Sequence, residues 1–235
     1  MILINYSIEF QTPFRVGTGM GQAGFIDNTT IRNRDGLAYI PGSTIKGRAR
    51  AAALKLAPSF DISTHSTTSD QTGCLVTQPD GPCAICRIFG APQWPGMLSF
   101  EKADLHGEIS NILKTLDLHE TPIKTHAQNY GRLLRTGIGI DRKLRVVVPD
   151  RLFTNECVGT KIPFTGRIIG EFPSSSPIEL DLALLLAALK SISHLGGGRG
   201  RGLGRCEFTF IKIQVDGKEK SLDQLISSLA GGGLK

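Results

Sequence analysis

GFIDNTTIRNRDGLAYIPGSTIKGRAR, residues 24–50, is the stretch from which the architecture can be read. One carboxylate, Asp27, stands beside Asn28 in a turn-prone segment, where such side chains hydrogen-bond nearby backbone. Asp35-Gly36 reads as the turn before a short apolar strand at 37–40. Ile40-Pro41-Gly42 ends that strand: Pro41 has no amide hydrogen for a ladder bond, and Gly42 admits a sharp turn. Ser43 is placed to cap the following helix, its hydroxyl accepting an orphan amide of the first turn. Lys46 and Arg50 are four residues apart and share one helix face. Amides, the positive end of a helix dipole and two cations meet there, which suits a phosphate.

Working outward, residues 2–10 alternate. Ile2, Ile4, Tyr6, Ile8 and Phe10 fall on one face, the mark of a half-buried strand. Gly17, Gly19, Gly21 and Gly24 follow, too irregular for a dinucleotide fingerprint and opening no helix. The helix after the Pro-Gly break is expected over 43–57, with Pro58 as its stop. Residues 97–103, 161–172 and 208–215 read as further core strands. Residues 178–193 form a helix apolar nearly all round, hence buried. Gly196 is placed to cap it in a left-handed conformation. Helices are also expected within 105–119 and over 219–230. With insertions set aside, the order is strand, helix, strand, strand, helix, strand. That is an α+β, ferredoxin-like order, shared with the RNA-recognition motif. The aromatic signature of that motif is missing, so base stacking on the sheet is not supported.

The chain has 235 residues, 40% of them hydrophobic and a formal net charge of +6. The length suits one large domain, 1–235, with insertions. The charge permits a polyanionic partner. Cations cluster at 32–50, 132–151 and 199–205, and two clusters lie in glycine-bearing breaks where backbone can approach a ligand. The start lacks the basic and apolar regions of a signal peptide. No apolar run approaches a membrane span. A cytoplasmic protein with no membrane partner is expected.

Residues 59–96 lose periodicity, and so long an irregular segment needs a cause. His65, Cys74, Cys83 and Cys86 supply one: H-x8-C-x8-C-x2-C. The Cys83/Cys86 pair has the spacing of a zinc knuckle, and one His with three Cys completes a closed tetrahedral site. Four protein ligands leave no place for water, so the zinc would be structural. The alternative is a set of ordinary buried cysteines.

Near the chain end, Gly197, Gly198, Arg199, Gly200 and Arg201 sit between the buried helix and the last strand. Arginines alternating with glycines there argue for a phosphate cradle; the alternative is a flexible loop. Residues 125–150 are rich in cations, Arg142 among them, and Asp141-Arg142 could form a local ion pair. Leu144, Val146, Val147 and Val148 offer apolar surface that strand packing would also explain.

IPGSTIKGRAR resembles the signature of the RAMP superfamily, the RNA-binding subunits of CRISPR–Cas effector complexes. GFIDN resembles the loop that carries the RNA-cleaving aspartate in the repeated backbone subunit of type III complexes. TGIGIDR, residues 136–142, and GGGRGRGLG, residues 196–204, extend the likeness in the expected order. The resemblance implies a protruding β-hairpin, or thumb, within 121–160 that wedges into a guide–target duplex. It implies contact between the glycine-rich loop and the CRISPR RNA backbone. It implies cleavage of single-stranded target RNA at Asp27, with Mg²⁺ or another divalent cation. The partners would be CRISPR RNA, target RNA, further copies of the chain and other effector subunits. The other reading is a structural RNA-binding subunit that does not cut.

Overall fold

The computed structural model of the chain describes residues 1–21, 26–64, 74, 81–120, 130–172 and 177–231. Its centre is strand β1, Ile2–Phe10, whose residues alternate between buried and half-exposed along its length. Tyr6, Ile8 and Phe10 are fully buried, as the period-two pattern predicts. β1 is antiparallel to β7, Pro163–Gly170, on one side and to β8, Cys206–Val215, on the other. Beyond β7 come β4, Ala103–Leu105, and β2, Tyr39–Ile40. β3, Leu98–Phe100, also pairs with β7, and β9, Lys218–Glu219, closes the far edge on β8. All these pairings are antiparallel.

The strand expected at 97–103 is therefore two short ones, β3 and β4. Both use β7, and the Glu101 amide donates to the Arg167 carbonyl between them. The break falls where Glu101 pairs with Arg167 and Lys102 with Asp104. These charges interrupt the apolar alternation.

Helix α1, Gly42–Leu56, buries Ile45, Ala49 and Ala53. Its small residues permit close approach to its neighbours. The helix begins one residue earlier than expected. Pro41 is its N-cap, and the amides of Thr44 and Ile45 donate to the Pro41 carbonyl. Ser43 is exposed and is not the cap. The reason is packing: a Cβ at Gly42 would lie 1.9 Å from the Phe100 carbonyl oxygen. Gly42 thus sets the helix start against β3. α1 runs into a short 3-10 turn at Ala57–Phe60.

A six-residue helix, α2, Ala84–Phe89, lies within the segment expected to be irregular. α3, Gly107–Glu120, extends the helix expected there. α4, Ile178–Lys190, carries the leucines; Leu182, Leu184, Leu185, Leu186 and Leu189 are all fully buried. The helix is covered on several sides because α1, α2, β8 and α5, Leu222–Gly231, all pack on it. Each such leucine contributes about 1.5–3 kcal/mol of transfer free energy. α4 ends at Ser191, so Gly196 is not its cap. Gly196 instead lies against Arg15, at a φ of +88°.

β5, Arg132–Ile140, and β6, Val147–Val158, form a separate antiparallel hairpin. It exposes Leu134 near its base and Ile140, Leu144, Val147 and Leu152 in its outer half. At its tip the Asp141 carboxylate accepts from the amides of Lys143 and Leu144, at 2.8 and 2.9 Å. Those two bonds hold its carboxyl below the usual range. Asp141 is thus a turn former rather than an ion-pair partner of Arg142.

One buried ion pair fastens the cysteine-bearing segment to the core. Arg87 of α2 donates from Nε and Nη2 to Asp181 of α4, at 2.7 and 2.8 Å, in a forked pair. Asp181 is fully buried. Burial pushes its carboxyl up, against the pull of Arg87. Arg87→Ala should therefore cost about 3–5 kcal/mol, because it strands a buried charge. The double change Arg87→Met with Asp181→Leu should cost far less, as urea unfolding of the three proteins will show.

Candidate nucleic-acid interface

Three strands of chain converge at the base of the hairpin. The first is the segment 26–32. Asp27 is exposed, and its Oδ2 accepts from the Thr154 amide at 2.6 Å. Its own amide donates to the Thr154 carbonyl at 2.9 Å. Asn28 then pairs with Asn155 in a parallel bridge, and the Glu156 amide donates to the Asn28 carbonyl. The Asp27 segment is thus tied to β6 by backbone bonds and an isolated bridge rather than left as a free loop. Asp27 Oδ1 has no protein hydrogen bond among the described residues.

Glu156 fixes this arrangement. It is buried, yet it is a carboxylate. The Arg32 guanidinium donates to its Oε1 from Nε and Nη2, at 3.0 and 2.7 Å. The Thr30 amide donates to its Oε2 at 3.2 Å, and Arg132 lies 3.5 Å away. A buried carboxylate without such partners would be costly.

The second strand of chain is the segment around Arg15. Its Nη1 donates to Asn155 Oδ1, which also accepts from Asn28 Nδ2. The third is the glycine-rich loop. Gly196, Gly198, Gly202 and Gly204 all take positive φ. The Gly197 amide donates to the Arg15 carbonyl, and the Gly204 amide to the Pro13 carbonyl. The amides of Arg201, Gly202 and Leu203 donate within the loop, so it is ordered by backbone bonds and five of its amides are already used. Gly200 faces open space.

Between these segments lies a cavity of about 270 Å³, lined by Arg15, Arg135, Asn155, Phe153 and Arg201. The Arg201 guanidinium lies 5.8 Å from the Phe153 ring centroid. Three guanidiniums and a ring at one opening suit a phosphate with a stacked neighbour. A second basic cluster lies on the far side of the loop, joining it to α1. His194 bridges to Arg205. Partial burial, then Arg199, Arg205 and Arg48, hold its imidazole below the ordinary value.

The predicted α1 residues divide. Gly42, Ser43 and Lys46 line a cleft of about 690 Å³ with Phe100, whose ring centre lies 5.9 Å from the Lys46 ammonium. Arg50 reaches back to donate to the Gly90 carbonyl at 2.9 Å, which ties α1 to the end of α2. Arg142 is exposed at the hairpin tip, apart from the cavity that Arg201 lines.

Of the predicted metal ligands, Cys74, Cys83 and Cys86 come together, their sulfurs within 4.8 Å of one another. His65 lies outside the described residues. The Cys83 amide donates to Cys74 Sγ at 3.3 Å and the Cys74 amide to Cys86 Sγ at 3.4 Å. Burial pushes the Cys86 thiol up to about 12. Three sulfurs so placed are a donor set that could hold a tetrahedral ion.

The RAMP superfamily model matches residues 7–207, which takes in the end of the central strand, the Asp27 segment, the hairpin and the glycine-rich loop. The chain belongs to the RAMP superfamily. Among curated proteins, this RAMP chain is similar to the CRISPR system Cms endoribonuclease Csm3 of Methanocaldococcus jannaschii. The two are 24% identical over 223 residues, 93% of this chain and 82% of the relative. Among solved structures, a chain of the type III-B Cmr-beta bound to cognate target RNA superposes with a TM-score of 0.60. Identity is 14%, over 88% of this chain and 96% of that one. A chain of Cmr-beta in the apo state gives 0.59 at 15% identity, over 89% and 97%. These likenesses show a shared fold.

Sequence reasoning passed over two residues of this candidate interface, Arg15 and Asn155, and saw Arg48 and Arg135 only as members of cation clusters. Arg15 and Asn155 are polar residues without a motif, and only the chain crossing brings them together. Glu156 offered one signal, a charge within a strand that continues into apolar residues. The basic cluster at His194 yields a test. Removing a cation relieves the bias against the charged imidazole. Arg48→Ala should therefore raise the His194 pKa, as NMR titration of the ring protons will show.

Proposed function

We propose that the chain is a CRISPR RNA-binding backbone subunit of a type III effector complex, and that it cuts target RNA paired to the guide. The observation that carries this reading is the position of Asp27. It is exposed, held by one carboxylate oxygen, and joined directly to the strand whose Phe153 and Asn155 line the arginine cavity. The likeness to a curated protein named an endoribonuclease, and to a chain from a target-bound assembly, supports it. Guide–target pairing would carry the sequence information, and the chain would grip phosphates.

In this reading the scissile phosphate lies at the guanidiniums of Arg15, Arg135 and Arg201. The adjacent 2′-oxygen attacks phosphorus and gives up its proton. The P–O5′ bond breaks and the leaving oxygen takes a proton. The products are a 2′,3′-cyclic phosphate and a 5′-hydroxyl. Arginines offset the charge that gathers on the phosphoryl oxygens. Asp27 receives the 2′-hydroxyl proton or holds a divalent cation. An exposed carboxylate is a hard oxygen donor that fits Mg²⁺. When bound, such an ion would polarise the phosphate. Lys46, with Gly42 and Ser43, and Arg199, with Gly197, Gly198 and Gly200, would hold the guide backbone. Arg50 is better read as a brace for α1.

Two further parts belong to the proposal. The core is ferredoxin-like, supported by the spatial order β4-β7-β1-β8, with α1 leading from the first core strand to the second and α4 from the third to the fourth. The chain is one domain, with a zinc-bearing insertion at 59–96 and a thumb at 121–160. Structural zinc is supported by the three clustered sulfurs and their amide donors, with His65 as fourth ligand.

Three measurements test this. In the assembled complex, Asp27→Ala should lower target cleavage by roughly 10²–10⁴-fold and leave target binding intact. Unchanged cleavage would leave the non-cutting reading standing. Neutralising Lys46 or Arg199 should flatten the salt dependence of guide binding by about one unit of slope per phosphate contact. Elemental analysis of the purified chain should find one zinc per molecule; reduced Cys83 and Cys86 without stoichiometric zinc would sink that part.

A further inference from the structure

Three consecutive residues of β6 hold the Asp27 segment, each by a different group. Thr154 offers its amide to the Asp27 carboxylate, and Glu156 offers a buried carboxylate to Thr30 and Arg32. Asn155 lies between them. Its side-chain oxygen touches two of the three converging segments directly, and the third through Arg15. It accepts from Arg15 Nη1 and from Asn28 Nδ2, while its backbone lies in β6. Arg15 in turn is tied to the glycine-rich loop through the Gly197 amide.

We propose that Asn155 is a positioning residue for RNA scission: its amide oxygen, shared by Arg15 and Asn28, locks the Asp27 segment and the Arg15 guanidinium into one geometry. This rests on the reading of Asp27 as the cleaving group. Asn28 adjoins Asp27 in sequence, so freeing its side chain lets the carboxylate turn about the Thr154 bond. Freeing Arg15 lets the guanidinium leave the cavity. Both shifts act on the relative placement of base and phosphate. A displacement of about 1 Å between reacting groups can cost on the order of 10²-fold in rate. The same oxygen also couples the hairpin to the carboxylate. β6 carries both the exposed outer half of the hairpin and Asn155, so force on the hairpin reaches Asp27 through one strand.

What the position needs is an acceptor oxygen, and that need separates positioning from packing. Asn155→Leu keeps the size and removes the acceptor. Asn155→Asp keeps the acceptor and can still receive from Arg15 and Asn28. The chain, assembled with its partner subunits and a CRISPR RNA, is given a complementary target RNA. Single-turnover cleavage and target Kd are measured for the native chain, both Asn155 variants and Asp27→Ala. Asn155→Leu should cut about 10–100-fold more slowly with Kd within about twofold of native. Asn155→Asp should recover most of that loss. Native-rate cutting by Asn155→Leu overturns the proposal. Equal impairment of both variants, or loss of target affinity in step with rate, also overturns it, since packing would then explain the effect. If Asp27→Ala itself cuts normally, the cleavage reading fails instead, and that result is distinct from the others.

Discussion

A carboxylate buried in a strand must be answered by hydrogen bonds and charge, and Glu156 is answered by the segment that carries Asp27. Arg32 and Thr30 are drawn to it, and the backbone between them is pulled into register beside β6. That demand adds to the backbone bonds that tie residues 26–32 to β6 and to residues 16–20. The desolvation cost of an unpaired carboxylate makes the alternative placements unfavourable by several kcal/mol. An exposed acid, otherwise free to wander, is therefore presented from a framed edge. The framing also explains why the hairpin and the loop behave as parts of one structure. β6 is the partner of β5 on one side and of the Asp27 segment on the other.

A second buried carboxylate does the same for a different module. Asp181 sits in a helix whose other residues are mostly apolar, where a charge is out of place unless it has a fixed partner. Arg87 meets it from α2, and the same guanidinium donates to the Pro82 carbonyl beside Cys83. The cysteine cluster is thereby attached to the core through its own helix. Forked arginine–carboxylate geometry adds direction as well as attraction. Both modules hung on the central sheet are fixed by a buried acid meeting an arginine.

The central strand was legible because its burial follows a period of two, and α4 because it is apolar on every face. Gly42 and the Pro-Gly break were legible as a boundary, but the exact start of α1 was not. That start depends on how near Phe100 lies, which no local pattern records. α2 escaped notice because six residues are too few to show a helical period. The broken strand at 98–105 escaped because both halves keep the same partner. In the candidate site, Asp27, Lys46 and the glycine-rich loop stood out through motif and composition. Arg15 and Asn155 did not, since they are 140 residues apart and meet only in the fold. Motifs mark residues that chemistry requires in sequence order; the chain crossing at the hairpin base is a property of topology.

Gly42 carries one further consequence. With a Phe100 carbonyl where a side chain would stand, α1 has no room to slide or roll on β3. The place on the surface from which Lys46 projects is then settled during folding. A glycine can thus fix where a cation is carried, through nothing more than the closeness of two backbones.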